Sequence, residues 1–302
     1  MPLKSYLGSR FRGAVGVHPR LTAVWRAAIL ARLFRVGNCA LLGSLAIFSV
    51  AVTRHGNGWT ALHLSLLFIS WAALAATAYA INDLVDRVHD RVNRPDRYLQ
   101  QVDRTPLWII VWVGVAALVA GIAGALVPLD RFLVLEAAWS CCAIGYSFGL
   151  KRRSGLLANL LTAFCVTTSA APGLLQGFSP RLGSLLPVLF LLMLAREIWK
   201  DIEDEPGDVA AGLRTIPILR GRTFAARSAS IVAAVGFLVL ILNRPSGHNV
   251  ATAAACLGGA GLIACTLLFA HPHMMSARTI QRLHRSAAIV VFAVFVGGSG
   301  II

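Results

Sequence analysis

The stretch ALHLSLLFISWAALAATAYAI, Ala61–Ile81, holds no charged side chain and gives way at once to NDLVDRVHDRVNRP, Asn82–Pro95. Crossing a hydrocarbon core of ~30 Å takes about 20 mostly apolar residues, with every backbone hydrogen bond closed inside the helix. The first part therefore reads as a transmembrane helix and the second as its emergence into the polar interface. Working outward, apolar runs of similar length recur at roughly 28–52, 106–127, 131–149, 156–176, 182–199, 224–243, 249–270 and 286–302. Together with 61–81 they predict an all-α, polytopic membrane bundle of about nine transmembrane helices. No connection is long enough for a soluble domain, so residues 1–302 are expected to form a single transmembrane domain.

Composition agrees. The chain is 57% hydrophobic and only 14% charged, too little polar surface for a water-soluble domain. A formal charge of +15 would point to nucleic acid in a soluble protein. Here the cations lie mostly in short connections, where anionic headgroups and the positive-inside rule account for them. No RNA-binding module or zinc-finger spacing accompanies them, so no nucleic-acid partner is expected. With a cytoplasmic N-terminus, the outer connections hold only Arg54, Arg131, Arg181 and Arg244, leaving 24 of the 28 Lys and Arg residues on the other side. That asymmetry predicts an integral protein of the cell (plasma) membrane with its long polar connections in the cytoplasm. The first ~25 residues lack the compact apolar core and small-residue site of a cleavable signal peptide. All six cysteines lie inside apolar runs without a CxxC pair and read as small buried hydrophobes.

The two longest polar connections, 82–105 and 200–223, each follow an even-numbered span, a hint of two related halves. Each opens with acids at helical intervals. Asn82, Asp86 and Asp90 are spaced four and four; Asp201, Asp204 and Asp208, in REIWKDIEDEPGD, three and four. Such intervals stack side chains on one helix face, with Pro206 and Gly207 expected to end the second helix before Asp208. Stacked carboxylates repel, at growing cost near lipid, and a cation relieves them. Hard oxygen donors at this spacing suit Mg²⁺, which keeps some waters and bridges to phosphates. Two such ladders are candidates to hold two or more ions around one diphosphate, with Arg94, Lys151, Arg152 and Lys200 neutralising its outer oxygens. Metals and cations turn a diphosphate into a leaving group. On an allylic isoprenoid, its departure leaves a carbocation that an apolar, water-excluding bundle protects. A transporter is the non-enzymatic alternative, although coupling-ion sites in transporters usually lie near the bilayer midplane.

NDLVDRVHDRVNRP resembles the NDxxDxxxD motif of the UbiA-type intramembrane prenyltransferases. REIWKDIEDEPGD is similar to their second aspartate motif, and YSFGLKR, Tyr146–Arg152, resembles the YxxxLKR element between them. The resemblance covers essentially the whole chain. It implies nine transmembrane helices around a central cavity, Mg²⁺ dependence and a prenyl diphosphate donor. It also implies that Asn82, Asp86, Asp90, Asp201, Asp204 and Asp208 hold the metal–diphosphate complex, that Lys151, Arg152 and Arg94 contact phosphate with Lys200 beside them, and that Tyr146 covers the cation or orients the acceptor. Within the family, KDIEDEPGDVAAGLRTIPI and FRVGNCALLG (Phe34–Gly43) look most like the digeranylgeranylglyceryl phosphate synthase branch, which implies transfer of a geranylgeranyl chain to a prenylated glycerol phosphate. Aromatic or quinone-precursor prenyltransferases share part of this wording, and related membrane terpene cyclases quench the cation without an acceptor. The acceptor is thus lipid-like or aromatic.

This chain departs from the family at Val36, where a proline is usual, and after Pro95, where DRYLQQVD replaces a small, turn-forming RPLPSG-like loop. That puts the acceptor entrance, more than the donor chemistry, outside the pattern. Among smaller features, Asp83 lies off the face of Asp86 and reads as a bystander or as a neighbour behind the ladder. Glu197 extends the second ladder inward, Glu203 and Glu205 read as solvated, Glu136 as a partner of Arg131 or an outer lining residue, and His271 and His273 as interface or cap residues.

Overall fold

A computed structural model describes residues 23–53, 58–150 and 153–242, the side chain of Arg181 excepted. The expected spans 249–270 and 286–302 lie outside the described residues, as do Lys151, Arg152, His271 and His273. Among the described residues all regular structure is helical: α1 Ala23–Leu33, α2 Val36–Thr53, α3 Ala61–Val85, α4 Arg87–Asn93, α5 Leu107–Ala125, α6 Phe132–Gly145, α7 Gly155–Thr168, α8 Pro180–Ala210, α9 Ile216–Arg220 and α10 Arg222–Leu242. Six helical segments are long and apolar enough to span a membrane: α2, α3, α5, α6 with its π-helical extension to Leu150, α8 from Leu182, and α10.

Two expected spans differ in form. The run 28–52 is two helices, broken where Arg35 adopts a left-handed φ of 49°, a conformation that costs a non-glycine residue about 1–2 kcal/mol. The run 156–176 is α7, too short to cross, followed by a 3-10 turn at Pro172–Leu175. Pro172 offers no N–H and disfavours helix in the residue before it.

The core is organised around α8. Its Leu185, Val188, Leu192, Ala195, Trp199 and Ile202 are buried, and the stripe Ala225, Ala226, Ala229 and Ala233 of α10 packs into the same core. Small residues at helical spacing let two helix backbones approach closely, the packing device that replaces the hydrophobic effect in lipid. On the other flank, Trp71 of α3 packs edge-on against Phe132 and Trp139, with ring centroids 6.5 and 5.7 Å away. Here Glu136 turns inward rather than to Arg131. It meets the Ser70 hydroxyl and lies so close to Gly124 that a side chain there would overlap its carboxyl.

Helix α8 does not stop at Pro206. The proline removes the N–H that would bond the Ile202 carbonyl, but Arg222 Nη2 donates to that oxygen at 3.3 Å. The helix runs on to Ala210, so Asp208 is carried by the same helix as Asp201 and Asp204, contrary to the expectation from Pro206 and Gly207. Short α4 lies against this end of α8 and brings the two acidic segments together.

Candidate active site

The first ladder bends but stays in register. Helix α3 ends at Val85 and α4 begins at Arg87, with Asp86 between them at φ −82°, ψ 22°. Backbone bonds from Asp86 N to Asn82 O and from Asp90 N to Asp86 O, both 2.9 Å, carry the four-residue repeat across the bend. Asn82 and Asp86 are half-buried, and Asp90 is buried.

The two ladders meet through arginine. Arg94 donates to Asp90 Oδ1 at 3.3 Å and to Asp204 Oδ1 at 3.1 Å, a direct bridge between residues 90 and 204. Arg97 donates to Asp90 Oδ2 at 2.6 Å and lies 3.1 Å from Asp83 Oδ2. Burial opposes ionisation of Asp90, but the His89 hydrogen bond and the guanidinium groups of Arg97 and Arg94 outweigh it and hold the carboxyl below the usual range. Asp83 is no bystander. It is buried between Arg97 and Arg35, whose Nη2 is 2.5 Å from Asp83 Oδ1, while the Arg35 guanidinium covers the Tyr79 ring at 4.8 Å. The left-handed turn at Arg35 thus delivers this cation to α3.

In the second ladder, Asp201 Oδ2 accepts from Asn159 Nδ2 at 2.7 Å. Asp204 and Asp208 are buried, and His89 Nε2 lies 2.8 Å from Asp208 Oδ1. Glu197 does not extend the ladder as a free ligand: Arg196 and Lys200 hold it, the latter at 3.5 Å. Glu205 pairs with Arg222 at 2.7 Å. Tyr146 opens the π-helical turn Tyr146–Leu150 and lies within electrostatic reach of Lys200. Such turns recur at functional sites.

Among the described residues, no three acidic, His or Cys side chains converge closely enough to enclose a cation; the aspartates are instead spanned by guanidinium groups. The donor chemistry nevertheless fits a hard divalent ion. Asn82 Oδ1 and Asp208 Oδ2 are buried without a hydrogen bond to any described residue, the kind of buried acceptor that an ion or a water satisfies. Arg94 and Arg97 supply positive charge to Asp90, and Arg94 also to Asp204.

The divergent loop is built differently from a tight Gly/Pro turn. Tyr98–Gln100 is a 3-10 turn, and Leu99 is buried with Leu33, Ala80 and Ile109. Arg87 Nη2 donates to Leu99 O at 2.6 Å and Val102 O at 2.5 Å. One side chain thus gathers the carbonyls that small turn residues would otherwise arrange.

His89, Asn93, Arg97, Asn159 and Arg35 are partners that spacing along one helix does not reveal, because each acts on an acid of another element or across a bend. Adjacency to the acidic motif is the one signal available for His89, Asn93 and Arg97.

Comparison with known proteins places this geometry. Residues 40–297 match the model of the UbiA prenyltransferase family. The digeranylgeranylglyceryl phosphate synthase of Methanothrix thermoacetophila is 33% identical over 216 residues, covering 70% of this chain and 79% of that protein. The enzyme of the same name from Halobacterium salinarum is 34% identical over 199 residues, covering 64% and 69%. Among solved structures, one of digeranylgeranylglyceryl phosphate synthase superposes with a TM-score of 0.69 at 18% identity over 90% of this chain and 98% of that one. A UbiA homologue from Archaeoglobus fulgidus bound to GPP and Mg²⁺ gives 0.66 at 17% identity, over 89% and 98%. These structures share the all-α membrane fold.

Proposed function

The chain belongs to the UbiA prenyltransferase family, and from that premise we propose that it transfers a geranylgeranyl group from its diphosphate to a prenylated glycerol phosphate in a Mg²⁺-dependent reaction. The observation that carries the proposal is the Arg94 bridge between Asp90 and Asp204, which makes two acidic clusters one site. The curated relatives at 33–34% identity support the choice of acceptor, and the A. fulgidus homologue bound to GPP and Mg²⁺ supports the donor and the ion.

In this reading residues 1–302 form one domain of the cell membrane, with both clusters on the cytoplasmic side. Asn82, Asp86, Asp90, Asp201, Asp204 and Asp208 hold the ions. Bound Mg²⁺ supplies the charge that lets diphosphate depart. Arg94, Lys151, Arg152 and Lys200 bind and orient the diphosphate, Arg94 exchanging its carboxylate partners for phosphate oxygens. The allylic C–O bond breaks with its electron pair passing to the diphosphate. Tyr146 faces the resulting cation, and the buried bundle excludes water from it. The acceptor hydroxyl oxygen forms the new C–O bond and releases its proton to the departing diphosphate.

The test uses purified protein in lipid with Mg²⁺ and geranylgeranyl diphosphate, with and without geranylgeranylglyceryl phosphate, products being identified by mass. A doubly prenylated ether product that requires the acceptor is expected. A cyclic hydrocarbon formed without acceptor would establish a cyclase, and prenylation only of an aromatic acceptor would move the chain to a different branch.

A further inference from the structure

The backbone between Asp204 and Asp208 contains a proline and a glycine, yet it holds both buried carboxylates on one helix. Arg222 repairs the bond lost at Pro206. A further hold on this backbone comes from one side chain of another helix. Asn93 Oδ1 accepts from Gly207 N at 3.0 Å, and Asn93 Nδ2 donates to Asp204 O at 2.8 Å. A single carboxamide therefore grips the backbone of one candidate ligand and the residue before the next. The fit leaves no room for a side chain at 207: a Cβ there would overlap the Asn93 carboxamide and stand 2.6 Å from His89 O. Asn93 also ends α4, directly before Arg94 and three residues after Asp90.

We propose that Asn93 is a positioning residue for the metal–diphosphate site, fixing the register of Asp204 and Asp208 against Asp90 so that the two clusters present their oxygens to a divalent cation before substrate arrives. The inference rests on the reading of the aspartates as metal-holding residues. The chemistry of the amide is specific. Aspartate at 93 keeps the acceptor for Gly207 N–H but sets a carboxylate against the Asp204 carbonyl, and alanine removes both contacts. Groups that orient metal ligands typically change metal affinity by about 10–100-fold when lost.

The test measures Mn²⁺ binding by electron paramagnetic resonance on full-length protein in lipid nanodiscs without prenyl diphosphate, with thermal unfolding followed in parallel. The proteins are wild type, Asn93→Ala, Asn93→Asp, Gly207→Ala and Asp204→Ala. The expected result is about 10–100-fold weaker Mn²⁺ binding in both Asn93 variants and in Gly207→Ala, with Asn93→Asp melting near wild type. If Asn93→Ala does not fold, Asn93→Asp and Gly207→Ala carry the test. Wild-type Mn²⁺ affinity in the folded Asn93 variants, with loss in Asp204→Ala, overturns the role of Asn93 and leaves the metal reading standing. Wild-type affinity in Asp204→Ala overturns that reading as well. No Mn²⁺ bound by the wild type overturns the claim that the site is organised before substrate arrives.

Discussion

At Asp83 one buried carboxylate holds two guanidinium groups, from Arg35 and Arg97. Removing one member of a buried charge cluster leaves its partners desolvated and unpaired, which typically costs about 3–5 kcal/mol. Both arginines keep some solvent contact, so Asp83→Ala is expected to fall at the lower end, about 3 kcal/mol, by denaturant unfolding in detergent. A loss below about 1 kcal/mol would class these pairs with ordinary surface bridges. Asn159 holds the carboxylate of Asp201, one of the residues proposed to bind the ions. Its Asn159→Ala variant loses a hydrogen bond to the Asp201 carboxylate, and such charge-assisted bonds contribute about 1.5–3 kcal/mol. A fall in melting temperature from the lost bond is expected, together with a raised Mg²⁺ half-saturation in a diphosphate-release titration of the folded variant. The acidic ladders themselves were legible, because stacked carboxylates at intervals of three and four have few other uses at a membrane edge. The partners of Asp83 were not legible for a physical reason: a helical projection gives the direction of a side chain, not which cation arrives from 48 positions away.

Individual helices show the same division between local and non-local causes. Apolar length alone located α2, α3, α5, α6, α8 and α10, since burial in hydrocarbon requires it. Local rules placed a helix end at Pro206, and they failed because Arg222 satisfies the Ile202 carbonyl that the proline leaves open and Asn93 holds the backbone of Asp204 and Gly207 from another helix. Arg222 is largely exposed, so Arg222→Ala is expected to cost only about 1 kcal/mol, read as a small fall in melting temperature. The interface of α3, α5 and α6 is less tolerant. Gly124 touches the Glu136 carboxyl, and Gly124→Ala overpacks a buried contact, with an expected loss of about 1–3 kcal/mol. An unchanged melting temperature would mean that Glu136 can turn away from Ser70.

For the molecule as a whole, the bundle joins an apolar exterior to a site whose carboxylates are matched by guanidinium groups. The strong asymmetry of Lys and Arg between connections supports the proposed orientation, with both clusters facing the cytoplasm. Cysteines introduced at Arg91 and Val209, both exposed, are expected to react with a membrane-impermeant maleimide from the cytoplasmic side alone; labelling of either from outside would reverse the orientation. The paired ladders led to the expectation that the two clusters face one site; what sequence could not convey was the contact that joins them, because Arg94 meets Asp204 across 110 positions of chain. That junction is also the most exposed part of the account. The decisive measurement is Mg²⁺-dependent release of diphosphate from geranylgeranyl diphosphate by wild type, Asp90→Asn and Asp204→Asn in lipid, with acceptor present. If the clusters form one site, each substitution alone lowers the rate by at least about 100-fold, consistent with loss of one electrostatic group at a reacting centre. Wild-type release by either variant would contradict it.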